Sequence, residues 1–265
     1  MRKVVVASHN TMFMSNRDIL LRYYGEIQQE HGLDILCLQE SVLQKEDPKH
    51  TEFVAEFLGP GYRFYYRNAF LSPAIIYDSH KFQPIQSFSI PIGKPDMRDV
   101  PIVLRWLAVS DPPIERFTTC VMLEDASGRI FTVVNFHLSP LGSNLFCFKQ
   151  LRRIKSFLAA YGIRSNIVFA GDTNIFHLRP RTQRMRLAQA LMYLGVRDPD
   201  FYRPTHFFSR FSASDRWYYK IPRILGLDLA QRLDVIASDM PFSEFGAISI
   251  PESDHDLVWG KLKVH

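Results

Sequence analysis

Six short apolar runs, spread from one end of the chain to the other, each deliver an acid, amide or imidazole group. This pattern constrains the fold more than any other feature of the sequence. Asn10 ends Val4-Val5-Val6-Ala7-Ser8-His9-Asn10, and Glu40 ends Asp34-Ile35-Leu36-Cys37-Leu38-Gln39-Glu40. His137 ends Phe131-Thr132-Val133-Val134-Asn135-Phe136-His137, and Asp172 and Asn174 close Ile167-Val168-Phe169-Ala170-Gly171-Asp172-Thr173-Asn174. Asp234 interrupts Arg232-Leu233-Asp234-Val235-Ile236, and Asp254-His255 stand just before the final run that starts at Leu257. A buried strand of roughly four to eight residues is apolar throughout. A carboxylate inside one carries a large desolvation cost unless it is paired or metal-bound. At a strand's end it can face a cleft, so a sheet scaffold that gathers its strand ends builds one site from distant positions.

The residue types in these positions narrow the chemistry. Converging carboxylates repel one another and favour a hard dication such as Mg²⁺, which takes oxygen ligands and keeps several waters. Amides and imidazoles beside it bind phosphate oxygens or move protons. With no Cys among the candidates, structural zinc is disfavoured.

At these residues the chain resembles the endonuclease/exonuclease/phosphatase superfamily, which includes deoxyribonucleases, abasic-site endonucleases, tyrosyl-DNA phosphodiesterases, neutral sphingomyelinases and inositol polyphosphate 5-phosphatases. The resemblance is carried by Asn10, Leu38-Gln39-Glu40, Asn135-Phe136-His137-Leu138, Gly171-Asp172-Thr173-Asn174, Arg232-Leu233-Asp234-Val235-Ile236 and Ser253-Asp254-His255, in the family's order across nearly the whole chain. Thr173, where many members have Phe, is similar to the tyrosyl-DNA phosphodiesterase branch. The chain departs from the family at His9, where Trp or Phe is common, and at Met12, where several nucleases carry Asp. Met12 removes one potential ligand, which leaves the metal number open and Glu40 as the anchoring ligand.

The resemblance implies an α/β (α+β) four-layer sandwich, two packed mixed β-sheets flanked by helices, whereas periodicity alone says α/β or α+β. Strands are expected over 3–9, 34–39, 62–67, 73–78, 103–109, 116–123, 130–137, 167–171, 232–237, 246–250 and 256–263. Helices are expected over 16–30, 144–161 and 182–194, the last with Met185, Leu187, Ala190, Leu191 and Leu194 as its apolar face and Gly195 as its stop. The motifs come from both ends of a 265-residue chain with no Gly/Ser linker or repeat, so residues 1–265 read as a single catalytic domain.

The formal net charge of +5 favours polyanionic partners, either nucleic acid or an anionic phospholipid surface. Cys37, Cys120 and Cys147 lie in apolar segments and read as free buried thiols, which suits a reducing compartment. No signal peptide or apolar stretch of about eighteen residues is evident, so the expected location is cytoplasmic, with signal-independent export still open. The sequence leaves the oligomeric state unknown.

Residues 201–224 are rich in aromatics and Arg and lack clean periodicity. Aromatic faces stack on unpaired bases while Arg tracks phosphates, so Arg203, His206, Arg210, Arg216 and Trp217 are candidate substrate contacts. The same mix suits a membrane interface or an ordinary packed loop. Arg179, Arg181, Arg184 and Arg186 form a second basic cluster, either lining the approach to the site or covering a solvated helix face.

By the resemblance, Glu40 is the direct Mg²⁺ ligand (Mn²⁺ being a possible substitute), with Asp254 and Asn10 completing or positioning its shell. Asp172 orients or deprotonates the attacking water, and Asn174 hydrogen-bonds a phosphate oxygen or the nucleophile. The structural alternative for this pair is a turn that uses Asp and Asn for local backbone hydrogen bonds. His255 binds the scissile phosphate or carries a proton, Asp234 orients its ring, and His137 donates to the phosphate or the leaving oxygen. His9, His177 and Asp256 are assigned no chemical role. The leading expectation is a Mg²⁺-dependent phosphodiesterase acting on nucleic acid, DNA first. A phospholipid or inositol-phosphate hydrolase and a non-catalytic binding module are the alternatives, because fold does not settle function.

Overall fold

The computed structural model describes residues 2–11, 17–41, 58–65, 73–102, 105, 114–177, 179–199, 203–207, 230–251 and 253–264. One mixed sheet contains β1 (Arg2–Asn10), β2 (Ile35–Gln39), β3 (Tyr62–Tyr65), β4 (Ala74–Asp78), β12 (Phe242–Ile248) and β13 (Leu257–Val264), in the order β12-β13-β1-β2-β4-β3. The other contains β5 (Phe82–Gly93), β6 (Arg116–Asp125), β7 (Ile130–His137), β8 (Ile167–Asp172) and β11 (Asp234–Ser238), in the order β11-β8-β7-β6-β5. A two-stranded ribbon joins β9 (His206–Phe207) to β10 (Ala230–Gln231). The described helices are α1 (Arg17–His31), α2 (Asn144–Ala160) and α3 (Pro180–Leu194).

Two faces of one strand explain the unbroken apolar runs. Successive side chains point to opposite faces of a sheet. In β1, Val4 and Val6 enter the layer between the sheets, where they meet Ile35 and Ile75 of their own sheet and Val121, Val133, Val168 and Ile236 of the other. Val5 and Ala7 enter the opposite layer, under Tyr24 and Ile27 of α1. The second sheet repeats this with Val134, Phe136 and Phe169, which pack against Leu151 and Ile154 of α2 and Leu187 and Leu191 of α3. Each such side chain contributes about 2 kcal/mol by leaving water. The result is helix, sheet, sheet, helix: the four layers the resemblance implied.

The helix ends follow their sequence signals. Ser143 caps α2 by accepting the Phe146 N–H at 3.3 Å. Pro180 opens α3, and Gly195, at φ 84°, ends it in the left-handed conformation that glycine adopts without strain. Met185, expected on the buried face of α3, is exposed, and Gln183 is buried in its stead, donating to Ile175 O and Arg232 O. β5 answers to no expected strand. The strand expected over 103–109 lies outside the described residues except for Arg105, which is helical. Cys37, Cys120 and Cys147 are free and buried. Among the described residues no helix is long and apolar enough to cross a membrane.

Candidate active site

Strand direction gathers the polar ends along one edge. β1 and β2 are parallel, so Asn10 and Glu40 emerge together. β13 runs antiparallel to β1, with Ser8 opposite Val258, so the residues that lead into it, Asp254-His255-Asp256, arrive at that edge from the other direction. In the second sheet β7 and β8 are parallel with His137 opposite Asp172, and antiparallel β11 puts Asp234 opposite Asp172 on the other side. His137, Asp172 and Asp234 therefore stand abreast on three adjacent strands.

Hydrogen bonds tie the two sheets' groups together. Asn10 Nδ2 donates to Asp172 Oδ2 at 3.0 Å. Asp234 Oδ2 lies 2.7 Å from His255 Nδ1, and Thr205 Oγ1 accepts the Asp234 N–H at 3.0 Å. His137 Nε2 stands 3.6 Å from Glu40 Oε1 and 3.7 Å from Asp172 Oδ2. The other ring nitrogen, Nδ1, lies 3.1 Å from Arg116 Nη1. A guanidinium only donates, so Nδ1 accepts and the His137 proton sits on Nε2, facing the carboxylates.

The electrostatics separate the two histidines. Burial lowers the His137 pKa, and the charges of Arg116 and His255 lower it further, so the ring is neutral. Burial also opposes charge on His255, but Asp234, Asp254 and Asp172 overcome this and hold its pKa well above the ordinary value, so the ring is an imidazolium. Burial pushes Glu40 up to about 7, with the Asp254 and Asp172 charges adding to the rise and His255 and Arg116 opposing it. Burial likewise raises Asp172, helped by Asp234 and opposed by His255 and by the Asn174 and Asn10 hydrogen bonds. Burial also works against charge on Asp254, yet His255 and His206 outweigh it and keep the carboxyl low.

Backbone conformation is specialised here as well. Glu40 (φ 51°) and Asn174 (φ 45°) occupy the left-handed region, a strain that clusters at functional sites. Asp172 makes the local turn: its Oδ1 accepts the Asn174 N–H at 2.8 Å, while Oδ2 accepts from Asn10 across the sheets. The Asn174 amide donates to Leu138 O at 2.9 Å.

The structure thus brings together Asn10, Glu40, His137, Asp172, Asn174, Asp234, Asp254 and His255. His206 is buried beside Asp254 and His255, whereas Arg203 is exposed. Arg210, Arg216 and Trp217 lie outside the described residues. Of the second basic cluster, Arg179 and Arg181 are exposed and Arg184 and Arg186 half-buried at the start of α3. His9 is buried against Tyr24, its Nδ1 2.8 Å from the hydroxyl, and burial drops its pKa to about 4. Sequence reasoning missed Arg116 and Thr205. An Arg opening a strand and a Thr between Pro and His carry no signal of their own; only the strand register reveals them.

No family model matches the chain, and no curated protein matches it in sequence. Solved structures do. The endonuclease/exonuclease/phosphatase from Bacteroides vulgatus aligns over 100% of both chains with a TM-score of 0.69 at 16% identity. D. rerio TDP2, solved with a single-strand DNA product, aligns over 100% of both chains with a TM-score of 0.65 at 14% identity. The mannosyl-6-phosphatase Bt3783 of Bacteroides thetaiotaomicron aligns over 98% of this chain and 100% of its own, with a TM-score of 0.60 at 14% identity. At these identities the likeness is one of fold.

Proposed function

We propose that this chain, which has the endonuclease/exonuclease/phosphatase fold, is a Mg²⁺-dependent hydrolase of phosphoester bonds acting on nucleic acid, with residues 1–265 as one catalytic domain. The observation that carries the reading is a division of labour at one sheet edge. An imidazolium locked by Asp234 stands beside a buried Asp172 whose pKa burial raises and whose carboxyl Asn10 holds.

Each residue has work to do in such a reaction. Asp172, its pKa raised by burial, suits a base that orients and deprotonates a water. His255 offers a fixed cationic donor to a phosphoryl oxygen, and Asp234 keeps its ring in place. His137, neutral and protonated on Nε2, offers a second donor, while Arg116 fixes that tautomer. Asn174 keeps the turn of Asp172 closed. The donor set fits a hard dication. Glu40 and Asp254 supply carboxylate oxygens, Asp254 Oδ1 is buried with no partner among the described residues, and burial, with the Asp254 and Asp172 charges adding to it, has pushed Glu40 up to about 7. Asn10 can complete that shell. When bound there, Mg²⁺ supplies charge neutralisation for the phosphoryl group.

Nucleic acid is favoured by the net charge of +5 and by the single-strand DNA product held by the D. rerio neighbour. The test is a panel of labelled single- and double-stranded DNA, a 5′-tyrosyl oligonucleotide, a sugar phosphate and mixed phospholipid vesicles, each with Mg²⁺, with EDTA and with Asp172→Asn. Metal-dependent cleavage of one nucleic acid, absent in the variant, is the expected result. Turnover of the sugar phosphate or the lipid alone would transfer the site to that substrate class, and no turnover would leave a binding module.

A further inference from the structure

One buried imidazole has no part in the chemistry above. His206 opens β9, whose backbone is clamped on both sides: Phe207 N–H donates to Asp254 O at 2.9 Å, Asp256 N–H to Thr205 O at 2.7 Å, and Thr205 N–H to Gln231 O at 2.8 Å. An isolated bridge pairs His206 with His255 directly. The two rings meet edge to face with centroids 4.6 Å apart.

Asp254 lies between them. Its Oδ2 is 3.4 Å from His206 Nε2 and 3.8 Å from His255 Nε2. One ligating atom from each of the three residues falls within 4.8 Å of the others. The 3.4 Å contact is long for a hydrogen bond, which runs about 2.7–3.2 Å between N and O, and the 3.8 Å contact is beyond one. The 3.4 Å contact matches the edge of a coordination sphere, since ligands at about 2.0–2.1 Å from a tetrahedral ion stand about 3.3 Å apart. Two further observations point to a ligand. Asp254 Oδ1 is buried without a partner among the described residues. Asp234 grips the far nitrogen of His255 at 2.7 Å, the carboxylate–histidine arrangement that orients a ligating ring.

We propose that His206, Asp254 and His255 form a transition-metal site that takes a dication of the Zn²⁺ or Co²⁺ class and shares Asp254 with the oxygen-donor position at Glu40. Two imidazoles and one carboxylate select such ions over Mg²⁺. Three protein ligands leave a fourth position for water or a ligand oxygen. An ion held there takes the place of the proton on His255 Nε2, so occupancy of this site and the use of His255 as a cationic donor exclude each other.

The test needs no substrate. The metal-free full chain is titrated with Co²⁺ in excess Mg²⁺ and followed by visible absorption and equilibrium dialysis. One equivalent of Co²⁺, with the strong bands of low-coordinate cobalt and displaced by Zn²⁺, is expected. His206→Ala should weaken Co²⁺ binding more than about 100-fold, beyond the usual cost of an outer-shell change. His206→Cys should keep the ion and add a thiolate-to-cobalt charge-transfer band, which also reports an intact fold. Glu40→Gln should leave Co²⁺ affinity unchanged. The proposal is overturned by absence of Co²⁺ binding in the natural chain, by unaltered affinity in His206→Ala, or by loss of the ion in Glu40→Gln. Cobalt binding without phosphoester cleavage removes only the proposed function; cleavage without cobalt binding removes only this site.

Discussion

His137 and His255 share one buried cluster, yet one ring is neutral and the other cationic because their partners differ. Arg116 can only donate to the one, and Asp234 can only hold a proton against the other. Removing that acceptor should be costly: Asp234→Asn is expected to lower turnover by about 10²–10⁴-fold, the range general acid–base groups supply, with the loss read in kcat. The same pair has a pH signature. The folded pKa of His255 is raised, so its pairing adds stability that is full below about 6.5 and is lost as pH rises through the folded value. Urea midpoints should therefore fall on the alkaline side in the natural chain and show a flatter profile in Asp234→Asn. Glu40 runs the other way, since a carboxyl raised to about 7 is protonated just below neutrality and then loses its charge for a cation. The Mg²⁺ concentration for half-activity should climb as pH drops from 8 to about 6, and Glu40→Gln should abolish that dependence along with most activity. Residues such as Asp172 and His255 were legible in the sequence because a polar group at the end of an apolar run is anomalous on desolvation grounds. Arg116 was not, because an Arg at a strand's start is ordinary until the register sets it on a histidine.

Elements were legible where periodicity and stop signals agreed, as in α2 and α3, and illegible where proline interrupted a strand. β5 contains Pro84 and Pro91, which argue against a strand. It survives as the outer strand of its sheet, with register shifts between Pro84 and Gln86 and between Pro91 and Gly93, where the missing donors cost least. β8 shows the opposite case, a strand whose glycine is mandatory. Gly171 has φ 144°, and a Cβ there would stand 1.9 Å from Phe136 O on the parallel neighbour β7. Backbone cannot swing aside as a side chain can, so Gly171→Ala must part the β7–β8 pairing that sets His137 beside Asp172. A destabilisation of about 2–4 kcal/mol by denaturant unfolding is expected, with activity lost beyond what the unfolded fraction explains. An alanine variant as stable as the natural chain would show that this strand pair tolerates displacement.

At the scale of the whole molecule the site exists only because two sheets face each other in one registration. The order of the motifs was readable from the chain, but which strand faces which was not, because those contacts join residues scores of positions apart and leave no local periodicity. Two motif residues turn out to serve this registration rather than the chemistry. Gln39 Nε2 donates to Asn135 Oδ1 at 2.7 Å, and Asn135 Nδ2 donates to Leu38 O and Ala74 O at 3.0 and 2.7 Å, all buried between the sheets. Asn10 makes the parallel link at the edge through Asp172. The two links should therefore separate on mutation. Asn135→Ala strips three hydrogen bonds from buried groups with no water to replace them, which should cost about 2–4 kcal/mol in urea unfolding while the folded fraction keeps most of its kcat. Asn10→Ala should do the reverse: a smaller loss of about 1 kcal/mol, because it breaks one hydrogen bond to Asp172 where Asn135→Ala breaks three, and a fall in kcat of at least tenfold, because Asp172 is no longer held in place. Equal stability losses in the two variants would mean that the edge bond is as much a clamp as the interior one, and the division between registration and chemistry would have to be given up.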